Sequence, residues 1–149
     1  MKSVIFILCI TCLFCINSFG QAYMKLEPSD VDAKKVGIAK KFANDYLTQQ
    51  RNNSYYQFKD EAIDVLKAQL TEERQKAAYK QIKDLFGDYK SIEYIETWIQ
   101  KGNAFYKIYR FKGTFEKSTD TDKPEIRVIL NGTDQVAGFW IKPWADVLK

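Results

Sequence analysis

A chain of 149 residues, 46% hydrophobic and 15% aromatic, has the size and apolar content of one folded domain. It contains no histidine, which excludes Ser-His-Asp and Cys-His hydrolysis and removes the commonest ligand for zinc, copper or iron. Its net charge of +4 is spread evenly, with Lys34-Lys35 and Lys40-Lys41 interleaved with Asp30, Asp32 and Asp45, and this is not the basic stripe of a nucleic-acid binder.

The first element in chain order is a leader. Lys2 is followed by an apolar run from Val4 to Ile16 broken only by Thr11, the pattern of a secretory signal. Ser18 and Gly20 supply the small side chains a signal peptidase accommodates, so residues 1–20 are expected to be removed between Gly20 and Gln21. The run falls short of the ~20 residues needed to span a bilayer. Cys9, Cys12 and Cys15 all lie inside it, preceded by Leu8, Thr11 and Phe14 rather than by the small residue that lipidation favours. The mature chain therefore lacks cysteine, which excludes disulfides, thiol catalysis and thiolate metal sites. The expected product is exported, periplasmic or secreted, with no membrane attachment after cleavage.

Residues 21–28 read as an N-terminal extension and 29–149 as a single domain. Pro28-Ser29-Asp30 predicts a helix start with Ser29 as N-cap. Val36, Ala39, Phe42, Ala43, Tyr46 and Leu47 recur at spacings of three and four and carry that helix to about Gln50. After the break at Arg51-Asn52-Asn53, Ser54 is placed to cap a second helical stretch running through Tyr55, Tyr56 and Phe58 into Ala62, Ile63, Val65 and Leu66. Thr71 then caps a third helix, with Glu72 and Glu73 in its first turn, a stripe of Ala78, Ile82, Leu85 and Phe86, and Gly87 as its stop.

Beyond Gly87 the period changes from about 3.6 to 2. Ser91 to Gln100 alternates Ile92, Tyr94, Glu96 and Trp98 against Glu93, Ile95, Thr97 and Ile99, and Lys101-Gly102-Asn103 supplies a hairpin turn. Ala104 to Phe115 is a second strand with Phe105, Tyr109, Phe111 and Phe115 on one face and Tyr106 and Ile108 on the other. A polar loop, Lys117 to Pro124, leads to a third strand, Glu125 to Leu130. Asn131-Gly132-Thr133-Asp134 is a turn of the Asn-Gly kind that favours positive φ, and Gln135 to Lys142 is a fourth strand ended by Pro143.

Helices first and a four-stranded antiparallel meander second predict an α+β domain in which a curved sheet packs on the helices. This order of elements, the ending Gly132-Thr-Asp-Gln-Val136-Ala-Gly138-Phe-Trp-Ile-Lys-Pro143 and the stretch Leu85-Phe-Gly-Asp-Tyr-Lys-Ser-Ile92 resemble a family of small secreted bacterial domains of unknown function in the nuclear-transport-factor-2-like superfamily. The resemblance covers roughly Val36 to Pro143. It implies a cone whose mouth can hold an apolar ligand, on a fold whose members also bind proteins or dimerise. Members that isomerise steroids use an aspartate base and a tyrosine in the cone, and no local motif here carries those roles onto numbered residues.

The candidate ligand contacts are the strand aromatics Tyr94, Trp98, Tyr106, Tyr109 and Trp140, which serve equally as core or cross-strand pairs. Arg110 reads as solvated beside Lys107 and Lys112. Trp144 docks the tail, covers the cone mouth or mediates assembly, and Gly138 marks curvature, a bulge or a close backbone approach. Asp45, Asp60, Asp64 and Asp84 are the acids nearest apolar stripes, each expected to be exposed. No catalytic residue, cofactor or metal is assigned. The expected function is binding of a small apolar ligand or a protein partner, with an Asp/Tyr isomerase or dehydratase and a structural homodimerising domain as alternatives.

Overall fold

The structure is a computed structural model and describes residues 23–148. The expected leader, its Gly20–Gln21 cut and all three cysteines lie outside the described residues. Helix α1 is Ala33–Arg51, α2 Asp64–Gln69 and α3 Glu72–Phe86; the strands are β1 Tyr23–Lys25, β2 Tyr89–Gln100, β3 Asn103–Phe115, β4 Glu125–Leu130 and β5 Val136–Lys142. The five strands form one antiparallel sheet in the order β1-β2-β3-β4-β5. The α+β class stands, and the expected four strands become five. Tyr23, Met24 and Lys25, within the segment read as an extension, pair with Gln100, Ile99 and Trp98. Three residues are too few for a period of 2 to show in the sequence.

α1 buries the predicted stripe: Ala39, Phe42, Ala43, Tyr46 and Leu47 are all at most 4% exposed. Its start differs. Asp32, not Ser29, is the N-cap, its carboxylate accepting from the Lys34 N–H at 2.8 Å, while Pro28–Asp30 form a separate 3-10 turn. Against the stripe pack Tyr109, Phe111, Val128 and Phe139 from the sheet, with Tyr46 and Phe139 rings 4.8 Å apart and Phe42 edge-on to Phe139 at 5.4 Å. This face of the sheet and α1 form one filled core.

The second helix is the largest departure. Ser54 to Ile63 is not helical, and α2 keeps only Asp64–Gln69. The cause is Gln75, buried on α3. Its Oε1 accepts from the Tyr56 N–H at 2.8 Å and from Gln50 Nε2 at 2.7 Å, and its Nε2 donates to the carbonyls of Tyr56 at 2.9 Å and Leu70 at 2.8 Å. The Tyr56 backbone is thereby satisfied without a helix. Its ring and that of Phe58 still reach the core, Tyr56 meeting Phe42 edge-on at 5.5 Å. Thr71 caps α3 and Gly87, at φ 77°, ends it as expected, but the face α3 buries centres on Gln75 and Tyr79, and Leu85 is exposed.

Two local features reset the sheet. β2 carries a bulge between Tyr94 and Glu96, so Ile95 is an extra residue and the alternation changes phase there. Ile92 and Tyr94 face the helices, yet after the bulge it is Thr97 that pairs with Tyr109 on that face, while Glu96 and Trp98 lie opposite Arg110 and Ile108 on the other. In the Asn131–Asp134 turn the positive φ belongs to Asp134, at 65°, rather than to Gly132. No helix among the described residues is long and apolar enough to cross a membrane.

Candidate functional site

The sheet face turned away from the helices holds a buried ion cluster. Arg110 was expected to be solvated and is wholly buried. Its Nε and Nη2 donate to the two Glu125 oxygens at 2.9 and 3.0 Å, Nη1 bonds Glu96, and Nη2 also bonds the Ala145 carbonyl. Arg127 Nε adds a bond to Glu125 at 2.7 Å, and Lys25 bonds Glu96 at 2.8 Å. The lysines flanking Arg110 in sequence do not decide its environment; its cross-strand neighbours do, and the tail closes over it. The Trp144 ring lies 4.2 Å from the guanidinium carbon and 4.7 Å from Lys112 Nζ.

Burial opposes the charge of Glu96, Glu125 and Arg110, and pairing outweighs it. Lys25, Trp98 and Arg110 hold the Glu96 carboxyl below its ordinary range, although the buried Trp98 Nε1 makes no hydrogen bond of good geometry. Arg110 and Arg127 do the same for Glu125, and the two glutamates raise Arg110. Arg110 spends its Nε, Nη1 and Nη2 on Glu125, Glu96 and the Ala145 carbonyl, so it is committed to structure and is not a free cation for an anionic ligand, whereas the buried Arg127 Nη2 has no hydrogen-bond partner.

The five candidate aromatics do not converge. Tyr94 and Tyr109 lie on the helix-facing side; Trp98, Tyr106 and Trp140 lie on the other, which, with Trp144, gathers all three tryptophans of the chain. The bulge at Ile95 separates Tyr94 from Trp98. Trp140 is half-buried with its ring folded over Gly138, where a Cβ would come within 2.3 Å of a ring carbon. The glycine is thus there for close approach of a side chain, and the adjacent register shift falls between Ile129 and Leu130. Tyr109 is fully enclosed, and its hydroxyl has no hydrogen-bond partner. Burial, then the nearby Asp32 and Asp134, keep that phenol protonated well above the ordinary tyrosine range. The four aspartates considered as bases sit outside: Asp64 and Asp84 are exposed and paired with Lys67 and Lys80, Asp45 pairs with Lys41, and Asp60 is exposed in a turn.

Open space lies beside the bulge. A cleft of about 360 Å³ runs between the start of α1, the 3-10 turn and β2, lined by Leu26, Val31, Val36, Tyr94 and Ile95, with Pro28, Ala33 and the Lys25–Glu96 pair completing it. The Tyr94 hydroxyl is engaged by Thr97 Oγ1 at 2.8 Å and its ring is edge-on to Phe111 at 5.8 Å, so Tyr94 is a fixed wall. Sequence periodicity missed Ile95 and the apolar residues before α1, because their convergence depends on β1 and on the bulge. Among the described residues, no group of three or more acidic side chains could hold a metal ion. The chain matches no protein-family model, and no curated protein or solved structure matches it.

Proposed function

We propose that the protein is an exported binding domain that takes a small apolar ligand in the cleft beside Tyr94 and Ile95. The observation carrying this reading is the lining: an open volume of ligand size, walled by aliphatic residues and one tyrosine, with a single ion pair as its charged part. The space between sheet and α1 supports no larger site, since Tyr109 and Phe111 fill it with no exposed surface. Helices on one face of an antiparallel meander support the nuclear-transport-factor-2-like resemblance. Isomerisation has less support: the buried carboxylates Glu96 and Glu125 are bound by Arg110 on the sheet face opposite Tyr109.

Native mass spectrometry on protein from the exported fraction of its host, before and after denaturation, tests the reading. The expected result is a chain beginning at Gln21 that releases a small molecule on denaturation and binds dodecanoate when stripped. Ala33→Trp, at an exposed position in the cleft lining, is expected to abolish both. A ligand-free protein that ignores dodecanoate overturns the proposal, and a ligand-free dimer transfers the weight to assembly.

A further inference from the structure

We propose that the groove between α1 and the extended segment from Ser54 to Glu61 is a binding site for a neutral saccharide. The groove has a volume of about 480 Å³. One wall is a ridge of α1, Lys41, Asp45 and Gln49, spaced four apart and so stacked on one face. The other is the segment that abandons the helix its sequence pattern favours, presenting Tyr55, Tyr56, Gln57, Lys59 and Glu61. It is held by Gln75 through both backbone groups of Tyr56, at the cost of a buried amide side chain. Segments whose local preference is overridden are where function concentrates.

The chemistry of the lining selects the ligand. Lys41 and Lys59 are matched by Asp45 and Glu61, so the groove has no net charge to favour an ion. It is polar along both walls, unlike the aliphatic cleft beside Tyr94. Its polar groups are already oriented: Lys41 bonds Asp45, the Lys59 N–H donates to both Glu61 oxygens at 3.1 and 3.0 Å, and Gln57 Nε2 reaches the Tyr55 hydroxyl at 3.3 Å. Vicinal sugar hydroxyls donate and accept together, which suits carboxylates and amides, and the C–H face of a pyranose suits an aromatic ring such as the half-buried Tyr55, whose other neighbour, Lys76 Nζ at 5.8 Å from the ring centroid, is not part of the groove lining. A peptide adding itself as a strand needs open backbone groups, whereas here the Tyr56 N–H and C=O are taken by Gln75 and the Lys59 N–H by Glu61.

The test is an NMR titration of the mature protein with maltotriose, cellotriose and diacetylchitobiose in turn, with the tripeptide Gly-Ser-Gly as a control. At least one saccharide is expected to shift amide signals confined to 41–61. Tyr55→Ala should weaken that saccharide about tenfold, the value of one ring contact. Gln49→Trp, at an exposed helix position, should block it while leaving the spectrum of the rest of the domain in place. Ala33→Trp should leave it unchanged, so this site and the apolar cleft stand or fall separately. Silence with all three saccharides at roughly 10 mM, a concentration that registers even weak binding, overturns the proposal. So does a response to the tripeptide alone, or shifts that survive Gln49→Trp.

Discussion

Arg110 shows how much of a side chain's role is set by residues distant in the chain. Its partners Glu96 and Glu125 are 14 and 15 positions away and become neighbours only when β2, β3 and β4 come into register. From sequence, Lys107 and Lys112 made it look like one of a solvent row. Arg110→Ala should cost about 3–5 kcal/mol in urea unfolding, because Glu96 and Glu125 lose the buried cation they share and keep only Lys25 and Arg127. The quadruple change Arg110→Met, Arg127→Met, Glu96→Leu, Glu125→Leu, which leaves no buried member of the cluster unpaired, should return to within about 1 kcal/mol of the parent or exceed it; a quadruple variant as weak as Arg110→Ala would show that the cluster does more than neutralise itself. Gly138 makes a second residue-scale case. Gly138→Ala should cost about 1–3 kcal/mol through overpacking against Trp140, and in a Trp140→Ala background the same change should be nearly neutral.

At the scale of elements, the parts legible in sequence were those with an unbroken period. The α1 stripe, the Thr71 cap, the Gly87 stop and the four longer strands all fall close to where spacing put them. The stretch from Ser54 to Leu66 misled because its apolar spacing fits a helix and an extended run equally, and the deciding bonds come from Gln75, nineteen residues from Tyr56. The phase change at Ile95 was hidden for a similar reason: Ile92, Tyr94 and Glu96 alternate as smoothly as any strand, and only pairing with β3 exposes the bulge. The candidate aromatics were therefore split between two faces. Cap identity offers a clean comparison between the two readings of the α1 start. Asp32→Ala should cost about 1 kcal/mol, while Ser29→Ala, which caps no α-helix, should leave the thermal midpoint unchanged; the reverse result would restore Ser29 as the cap.

For the whole molecule, stability should form a plateau bounded by two sets of buried groups. Glu96 and Glu125 have folded pKa values below the ordinary 4.5, so their contribution is complete above that value and is lost as pH falls through the lower folded values. Tyr79 and Tyr89 are pushed by burial up to about 12, so theirs is present below the ordinary tyrosine value of 10.0 and is lost as pH rises toward 12. Thermal midpoints measured across pH should fall at both ends, and the quadruple variant should have a shallower acid slope, with Asp88 still held low by Lys83 and Tyr79, while keeping the alkaline one. A quadruple variant with the full acid slope would place the acid-sensitive groups elsewhere.

The gathering of all three tryptophans on one side of the sheet makes the protein optically lopsided. Intrinsic indole emission reports the ion cluster and the tail that Trp144 anchors, whereas the aromatic rings of the helix-facing core are those of phenylalanine and tyrosine. A tail that lifts before the core melts would thus appear first as a partial change in emission, that of Trp144 alone, while tyrosine absorbance stayed native.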